Sequence, residues 1–388
     1  MSAPRPEQLT TTAMASDGRA VARRPSGQVV FVEGALPGEE VAVEVISERG
    51  RYASARATEV VDPSADRVRP PCPRVVEGCG GCQWQHVSIP AQIRLKAGMV
   101  EESLRRIGRV QPVEFRPTVE LEPWSWRTSI HAGVVDGRPG YRRRRSHDLV
   151  DAAGCLIAHP LLAPLLTGGR YPGARSVLLR CGARTGERLA VPTPSGVTID
   201  VPADVNRRAI HEMAAGRRWK LSAASFFQSR PDGADALADL VRSAAEEIGP
   251  PGHAVDTYSG VGLFAGVLAE MGWSVTAVEG SRAAVEDARA NLSGFDATVV
   301  RADVATWRPR SADLVIADPS RAGLGKEAAA VLVGTGARRI VLVSCDAASL
   351  GRDAGLLTGA GYILSSVRPV DLFPHTWHVE VVSVFDRP

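Results

Sequence analysis

Apolar and polar residues alternate in three short runs near the N-terminus, GQVVFVEG, EEVAVEVISE and YASARATEVV, with Pro37-Gly38 between the first two. Alternation of period two, broken by turn residues, predicts half-buried antiparallel strands. Three such runs with no helical stretch between them predict a small OB-like β-barrel over residues 1–63. The texture then changes. Residues 63–90 are rich in Pro, Cys and Gly (PPCPRVVEGCGGCQWQH) and poor in core-forming side chains, so something other than a hydrophobic core must order them. Residues 91–109 predict a helix with Ile93, Leu95, Met99, Val100, Leu104 and Ile107 near one stripe. Residues 115–225 mix strands with basic turns, including Arg142 to Arg145. The stretch 64–224 therefore forms a mixed central domain.

A third pattern fills residues 225–388, most clearly from about residue 250. Strand-like runs (AVDTY, WSVTAVE, ATVVRAD, DLVIADP, RRIVLVSC, YILSSVRPV, HVEVVSVF) alternate with helical ones such as LFAGVLAE and AAVEDARANL. That alternation predicts a doubly wound, mostly parallel Rossmann-like α/β sheet.

With 388 residues, 44% of them hydrophobic, the chain can bury the cores of two or three domains. No apolar run approaches the roughly 18 residues a membrane span needs. MSAPRPEQLTTTAMASDGR carries no apolar core of a secretory leader, so a soluble cytoplasmic protein, monomeric by default, is expected. The net charge of +3 conceals an asymmetry: residues 101–230 carry 21 Lys and Arg against 12 Asp and Glu, whereas residues 231–388 carry 13 against 20. A basic middle beside an acidic end points to a polyanionic partner for the middle.

Two constellations carry candidate chemistry. Cys72, Cys79 and Cys82, with Cys155 far downstream, offer four thiolates without a paired-histidine partner, a set suited to zinc or to a [4Fe–4S] cluster. Cys181 is left over and reads as a core residue. The run Asp256 to Ala265 (DTYSGVGLFA) joins the first strand of the doubly wound sheet to its first helix. Its glycines let the backbone turn tightly beside a ligand, and the helix start favours a negative group. Glu279 closes the next strand, placed for ribose hydroxyls. Asp303 follows the third strand, suited to an adenine amino group, and Asp318-Pro319-Ser320-Arg321 follows the fourth. Spacing alone leaves a nicotinamide and an S-adenosylmethionine site both open.

These residues resemble the RNA uridine-5-methyltransferase family over nearly the whole chain. The resemblance runs from a TRAM-like barrel through CPRVVEGCGGCQWQH, GYRRRRSHDLVDAAGC, SFFQSR and VDTYSGVGLF to DPSRAGLG, SCDAASLGRD and FPHTWHVE. It implies a methyltransferase that makes 5-methyluridine in RNA, with 23S ribosomal RNA ahead of transfer RNA because of the barrel, and no DNA partner. Carbon 5 of uracil is too weak a nucleophile to attack a sulfonium methyl unaided. A thiolate adding at carbon 6 activates it, and a base must later remove the carbon-5 proton. The family motifs assign Cys345 as that nucleophile and Glu380 as that base. A helix start after Asp346 and basic surroundings would lower the thiol pKa. Gln228, Tyr258, Glu279, Asp318 and Asp303 carry over as contacts to S-adenosylmethionine, whereas Leu263 departs from the asparagine many relatives have. The family favours a structural [4Fe–4S] cluster at the four cysteines, with zinc the alternative. Trp124, Trp126 and Phe226 are candidates for stacking on bases. An iron–sulfur nicotinamide oxidoreductase leaves Cys345 and Glu380 unexplained. An inactive RNA-binding protein of the same fold is separated from an enzyme by a methyl-transfer assay.

Overall fold

The computed structural model describes residues 7–388; the part of the N-terminal leader expectation that falls on residues 1–6 lies outside the described residues. The N-terminal strands are β1 (Glu7–Met14), β2 (Ala20–Arg23), β3 (Val29–Glu33), β4 (Glu40–Arg49) and β5 (Tyr52–Asp62). They close into a barrel in the order β1-β2-β3-β5-β4. Leu9, Ala20, Val30, Val32, Val41, Val43 and Ala53 fill it. The first two strands were not foreseen. EQLTTTAM buries only Leu9 and Thr11, too few apolar positions to register as alternation. Thr11 compensates by donating its hydroxyl to the carbonyl oxygens of Leu36, at 2.5 Å, and Glu39.

Downstream, the helix Ile89–Ser103 continues as a π turn over Leu104–Gly108. It packs on the helix Ala347–Gly359 of the last sheet. The approach is close enough that a Cβ on Gly351 would stand 2.6 Å from the Ser103 carbonyl oxygen. The buried face differs from the expected stripe. Gln92 and Lys96 are fully buried while Ile107 is 44% exposed; Gln92 donates to the Trp84 and Val87 carbonyls and Lys96 to Asp371 and the Phe373 carbonyl, which satisfies both.

The short strand β6 (Glu114–Phe115) is followed by β7 (Ser129–Val135), β8 (Arg138–Arg142), β9 (Leu149–Asp151), β10 (Ser176–Cys181) and β11 (Arg188–Thr193). All but β6 form a sheet ordered β11-β10-β7-β8-β9. A hairpin, β12 (Ala209–Ala214) and β13 (Arg217–Ser222), presents Ile210, Trp219 and Leu221 to the core of the last sheet.

That last sheet comprises β14 (His253–Thr257), β15 (Ser274–Glu279), β16 (Ala297–Arg301), β17 (Leu314–Ala317), β18 (Arg339–Ser344), β19 (Ile363–Val370) and β20 (Glu380–Asp386). Its order is β16-β15-β14-β17-β18-β20-β19-β6. The first five strands are parallel, and β20 runs antiparallel to both of its neighbours. Helices cover both faces over two apolar layers, which explains the continuous apolar runs in the sequence. The order reverses at β14, and open sheets of this kind bind ligands outside the strand ends at such a point. Among the described residues, no helix is long and apolar enough to cross a membrane.

Candidate active site

Strand register builds the site. Ser344 pairs with Val381 across the antiparallel β18–β20 ladder. The ladder ends there, so Cys345 leaves β18 at the edge where Glu380 begins β20, and the Glu380 charge reaches the Cys345 thiol. On the other side of β18, the parallel β17 ends at Ala317, so Asp318 emerges at the same rim. Gln228, from the loop 225–230, donates its Nε2 to Asp318 Oδ2 at 3.3 Å. Four residues named from separate motifs thus meet at one edge.

The neighbouring loops are held by side chains of the helix Ala347–Gly359. Asp346 caps that helix by accepting from the Ser349 amide at 2.7 Å. Ser349 Oγ donates to the Arg321 carbonyl at 2.7 Å, and Asp353 accepts from the Leu324 amide at 2.7 Å. SCDAASLGRD therefore shapes the loop DPSRAGLG beside it.

Burial sets the electrostatics of the rim. Glu380 is 3% exposed, and its Oε1 has no hydrogen-bond partner. Desolvation, then the charge of Asp318, push its carboxyl well above the ordinary range, opposed by Arg321. Desolvation also raises Asp318, to about 7. Two carboxyls this close resist ionising together. The Cys345 thiol is pushed up to about 12 by burial, Glu380 and Asp318, with Arg321 pulling it down. This corrects the expected lowering: burial of the thiol, reinforced by two nearby acids, outweighs the helix start and the single guanidinium. Arg321 was quoted in DPSRAGLG without a role, yet it is the cation whose charge reaches both Cys345 and Glu380.

At the switch point, Tyr258 takes a positive φ of 58° and Gly262 one of 94°, the left-handed geometry that turns the chain back over the strand ends. Asp256, fully buried, accepts from the Ala265 amide at 2.8 Å and fixes the start of the following helix. The Glu279 carboxylate accepts from the amides of Gly260, at 2.9 Å, and Ser281, at 2.6 Å. Asp303 accepts from the Ala305 amide at 2.9 Å, capping a short turn. Tyr258, Glu279 and Asp303 thus line the rim beside the first group. Leu263 packs into the hydrophobic core.

The four clustered cysteines come together elsewhere, around one small pocket that Arg127 and Tyr141 also line. All are free thiols. The arginine run is tied to this segment: Arg144 donates to the carbonyls of Cys79 and Cys82, and Arg143 to that of Glu77. Cys181 is buried in the central core as expected. Of the candidate stacking residues, Trp126 is buried and Trp124 lies against His375 at 3.9 Å, whereas Phe226 is 68% exposed.

A closed five-stranded barrel thus stands ahead of a doubly wound sheet, with a cysteine, buried acids and a glycine turn along its carboxyl edge. Residues 9–58 match the model of the TRAM domain. An uncharacterized RNA methyltransferase of Streptomyces avermitilis is 37% identical, over 96% of this chain and 96% of its own. Another, from Thermosynechococcus vestitus, is 31% identical over 97% of each. Among solved structures, the Pyrococcus abyssi tRNA (uracil-54, C5)-methyltransferase in complex with S-adenosyl-L-homocysteine superposes with a TM-score of 0.76, at 23% identity, over 98% of this chain and all of that one. The chain belongs to the RNA methyltransferase family.

Proposed function

We propose that this enzyme methylates carbon 5 of uridine in RNA, with S-adenosylmethionine as donor. The observation that carries the reading is the β18–β20 register that brings Cys345 and Glu380 to one edge, with Asp318 and Gln228 alongside. In this scheme the Cys345 thiolate adds to carbon 6 of the uracil, and the electron pair that moves to carbon 5 displaces the methyl group from its sulfonium. Glu380 then takes the carbon-5 proton, the ring double bond re-forms, and the thiolate leaves. Tyr258, Glu279 and Asp303 hold the nucleoside of the donor at the switch point, the Glu279 oxygens retaining lone pairs for ribose hydroxyls. Uracil stacked in a helix hides the face under attack, so the target is flipped out or lies in a loop.

The chain divides, on this reading, into a barrel (1–63), a central RNA-binding segment (64–224) and a catalytic segment (225–388). The helix Ile89–Ser103 and the hairpin 209–222 serve the last of these. Cys72, Cys79, Cys82 and Cys155 would hold a [4Fe–4S] cluster, which supplies a tie between distant segments and no redox step. Their convergence on one pocket as free thiols supports a fit. Among the described residues no group of three or more His, Cys, Asp or Glu closes on a metal ion, and the preference for the cluster over zinc rests on the family resemblance. The enzyme acts as a cytoplasmic monomer. The barrel does not choose between ribosomal and transfer RNA, because the archaeal tRNA enzyme aligns over 98% of this chain, barrel included.

The test is incubation with S-adenosylmethionine and cellular RNA containing 5-fluorouridine. Fluorine cannot leave as a proton does, so the wild type accumulates a protein–RNA adduct stable to denaturing gels, and sequencing the trapped RNA names its class. Cys345→Ala forms none. An adduct that persists in Cys345→Ala removes the nucleophile assignment.

A further inference from the structure

The helix Arg282–Asn291 follows the strand that ends at Glu279 and turns two polar side chains inward. One is Asp287, whose side chain is 0% exposed and to which none of the roles above assigns a task. Its Oδ2 accepts from the Ser222 amide at 2.7 Å and the Ser225 hydroxyl at 2.6 Å, and its Oδ1 accepts from the Ser222 hydroxyl at 2.7 Å. Lys220 Nζ lies 3.5 Å from the same Oδ1. The Asp287 charge also reaches buried Arg180, whose guanidinium donates to the Ser222 carbonyl at 3.1 Å. A buried carboxylate is unfavourable unless donors surround it, and here the hydrogen-bond donors come from Ser222 and Ser225, on the approach to Gln228.

The second side chain is Asn291, one turn further along the same face of the helix. Its Oδ1 accepts from the Lys220 amide at 2.8 Å, and its Nδ2 donates to the carbonyls of Lys220, at 3.2 Å, and Val261, at 3.0 Å. Val261 belongs to the glycine turn, so one helix fastens the hairpin to the proposed donor site. Beyond Ser225 the chain exposes Phe226, buries Phe227 in the core of the last sheet and reaches Gln228. The Ser229 carbonyl then accepts from the Thr128 amide at 2.9 Å and the Thr128 hydroxyl at 2.8 Å. Gln228 is therefore presented by a short span anchored at both ends.

We propose that Asp287 is a positioning residue for methyl transfer: by anchoring Ser222 and Ser225 it holds the Gln228 side chain against Asp318, at the rim that Cys345 and Glu380 share. The inference rests on the reading of that rim as the reaction centre and deepens it. Reactive geometry tolerates little, since misplacing a group by about 1 Å costs on the order of 100-fold in rate. The partners of Asp287 all lie on the hairpin and the loop, so its effect passes through Gln228.

Three substitutions separate positioning from stability. Ser225→Ala removes one buried hydroxyl and leaves the Ser222 bonds in place. Asp287→Ala removes the whole anchor. Asp287→Asn keeps an acceptor for the Ser222 amide and the Ser225 hydroxyl, and its amide group can donate to the Ser222 hydroxyl, which accepts as well as donates. It gives up the charge that faces Lys220 and Arg180, so lower stability with near-normal transfer is expected of it.

The experiment incubates full-length protein with methyl-tritiated S-adenosylmethionine and unmodified transcripts of ribosomal and transfer RNA, and separates the product nucleosides. At saturating donor, transfer should slow about tenfold or more in Asp287→Ala and severalfold in Ser225→Ala, and stay within about threefold of the wild type in Asp287→Asn. On a Gln228→Ala background the same substitutions should change the rate by less than about twofold, because the position of an absent side chain no longer matters. A measurement that needs no RNA follows the Gln228 side-chain amide by NMR in protein made with isotope-labelled glutamine, the signal being the one that Gln228→Ala removes. Ser225→Ala should shift or broaden it, and Asp287→Asn should leave it near its wild-type position. Wild-type rates in both alanine variants, or losses as large without Gln228 as with it, overturn the proposal. So does a Gln228 signal unmoved by Ser225→Ala, or an Asp287→Asn enzyme as slow as Asp287→Ala. Tritium in a nucleoside other than 5-methyluridine, with the dependence on Gln228 intact, leaves the role of Asp287 standing and overturns the uracil reading, so the two failures are distinguishable.

Discussion

Lys96 and Asp371 form an ion pair at 2.6 Å, with side chains 0% and 2% exposed. Desolvation lowers the lysine pKa, and the aspartate holds it up. The ammonium also donates to the Phe373 carbonyl at 3.0 Å, so one helix residue holds both ends of the segment that leads to His378 and Glu380. Lys96→Met keeps most of the volume and strands the Asp371 carboxylate. Breaking a buried pair in this way costs about 3–5 kcal/mol, and the Phe373 carbonyl adds little because Thr376 already donates to it at 2.8 Å. Against a folding free energy on the order of 5–15 kcal/mol, the loss is large. Removing both charges, Lys96→Met with Asp371→Leu, should restore most of it, since an apolar replacement of a buried pair is often neutral. Denaturant unfolding of the wild type, both single variants and the double variant closes a mutant cycle. Single losses below about 1 kcal/mol, or a coupling energy near zero, would refute the claim that this pair anchors the catalytic loop.

In the 5-fluorouridine-free reaction, Glu380→Gln should transfer the methyl group and then stall, so that a methylated protein–RNA adduct accumulates; prompt release moves the base role to another residue. Cys345, Glu380 and Asp318 are all displaced upward, the thiol to about 12, so the thiol is protonated at neutral pH while the thiolate is the form that reacts. The rate kcat/KM should therefore climb between about pH 7 and 9, approaching tenfold per unit for one controlling ionisation, and a flat profile across that range contradicts the assigned electrostatics. Anaerobically purified protein should contain about four irons per chain, and one equivalent of zinc instead would exclude the cluster.

Much of the last sheet was legible because its strands are buried on both faces and read as continuous apolar runs. The glycine turn was legible because Gly260 and Gly262 take positive φ of 54° and 94°, a demand that leaves a mark in sequence. The first two barrel strands were hidden, since a threonine-rich run shows little contrast between its faces. Gln92 and Lys96 lie outside the apolar stripe expected of their helix, and nothing local reveals that His375 and Asp371, more than 270 residues away, would meet them. The raised thiol of Cys345 was misread for a related reason. Its pKa is raised first by burial and then by Glu380 and Asp318, neighbours only through strand order and register.

The catalytic segment 371–380 is where the parts of this chain are joined. Its His375 amide donates to Gln92 Oε1 at 2.7 Å, and its His375 carbonyl accepts from the Trp84 amide at 2.9 Å. Trp377 shares an apolar cluster with Leu36 and Met14 of the barrel, Trp84 and Val87 of the cysteine segment, and Met99 of the helix. At the barrel turn between β1 and β2, Gly18 takes a φ of +78°, and any Cβ there would stand 2.4 Å from Trp377. The Trp84 indole donates to the Gly18 carbonyl at 3.1 Å, so that turn is held from two sides. Packed interiors transmit displacement because they have little free volume to absorb it. The barrel turn packs directly on Trp377, one residue from His378 and three from Glu380. The barrel is thus more than an appended RNA grip, since its turn forms part of the support beneath the segment that carries Glu380, the proposed base.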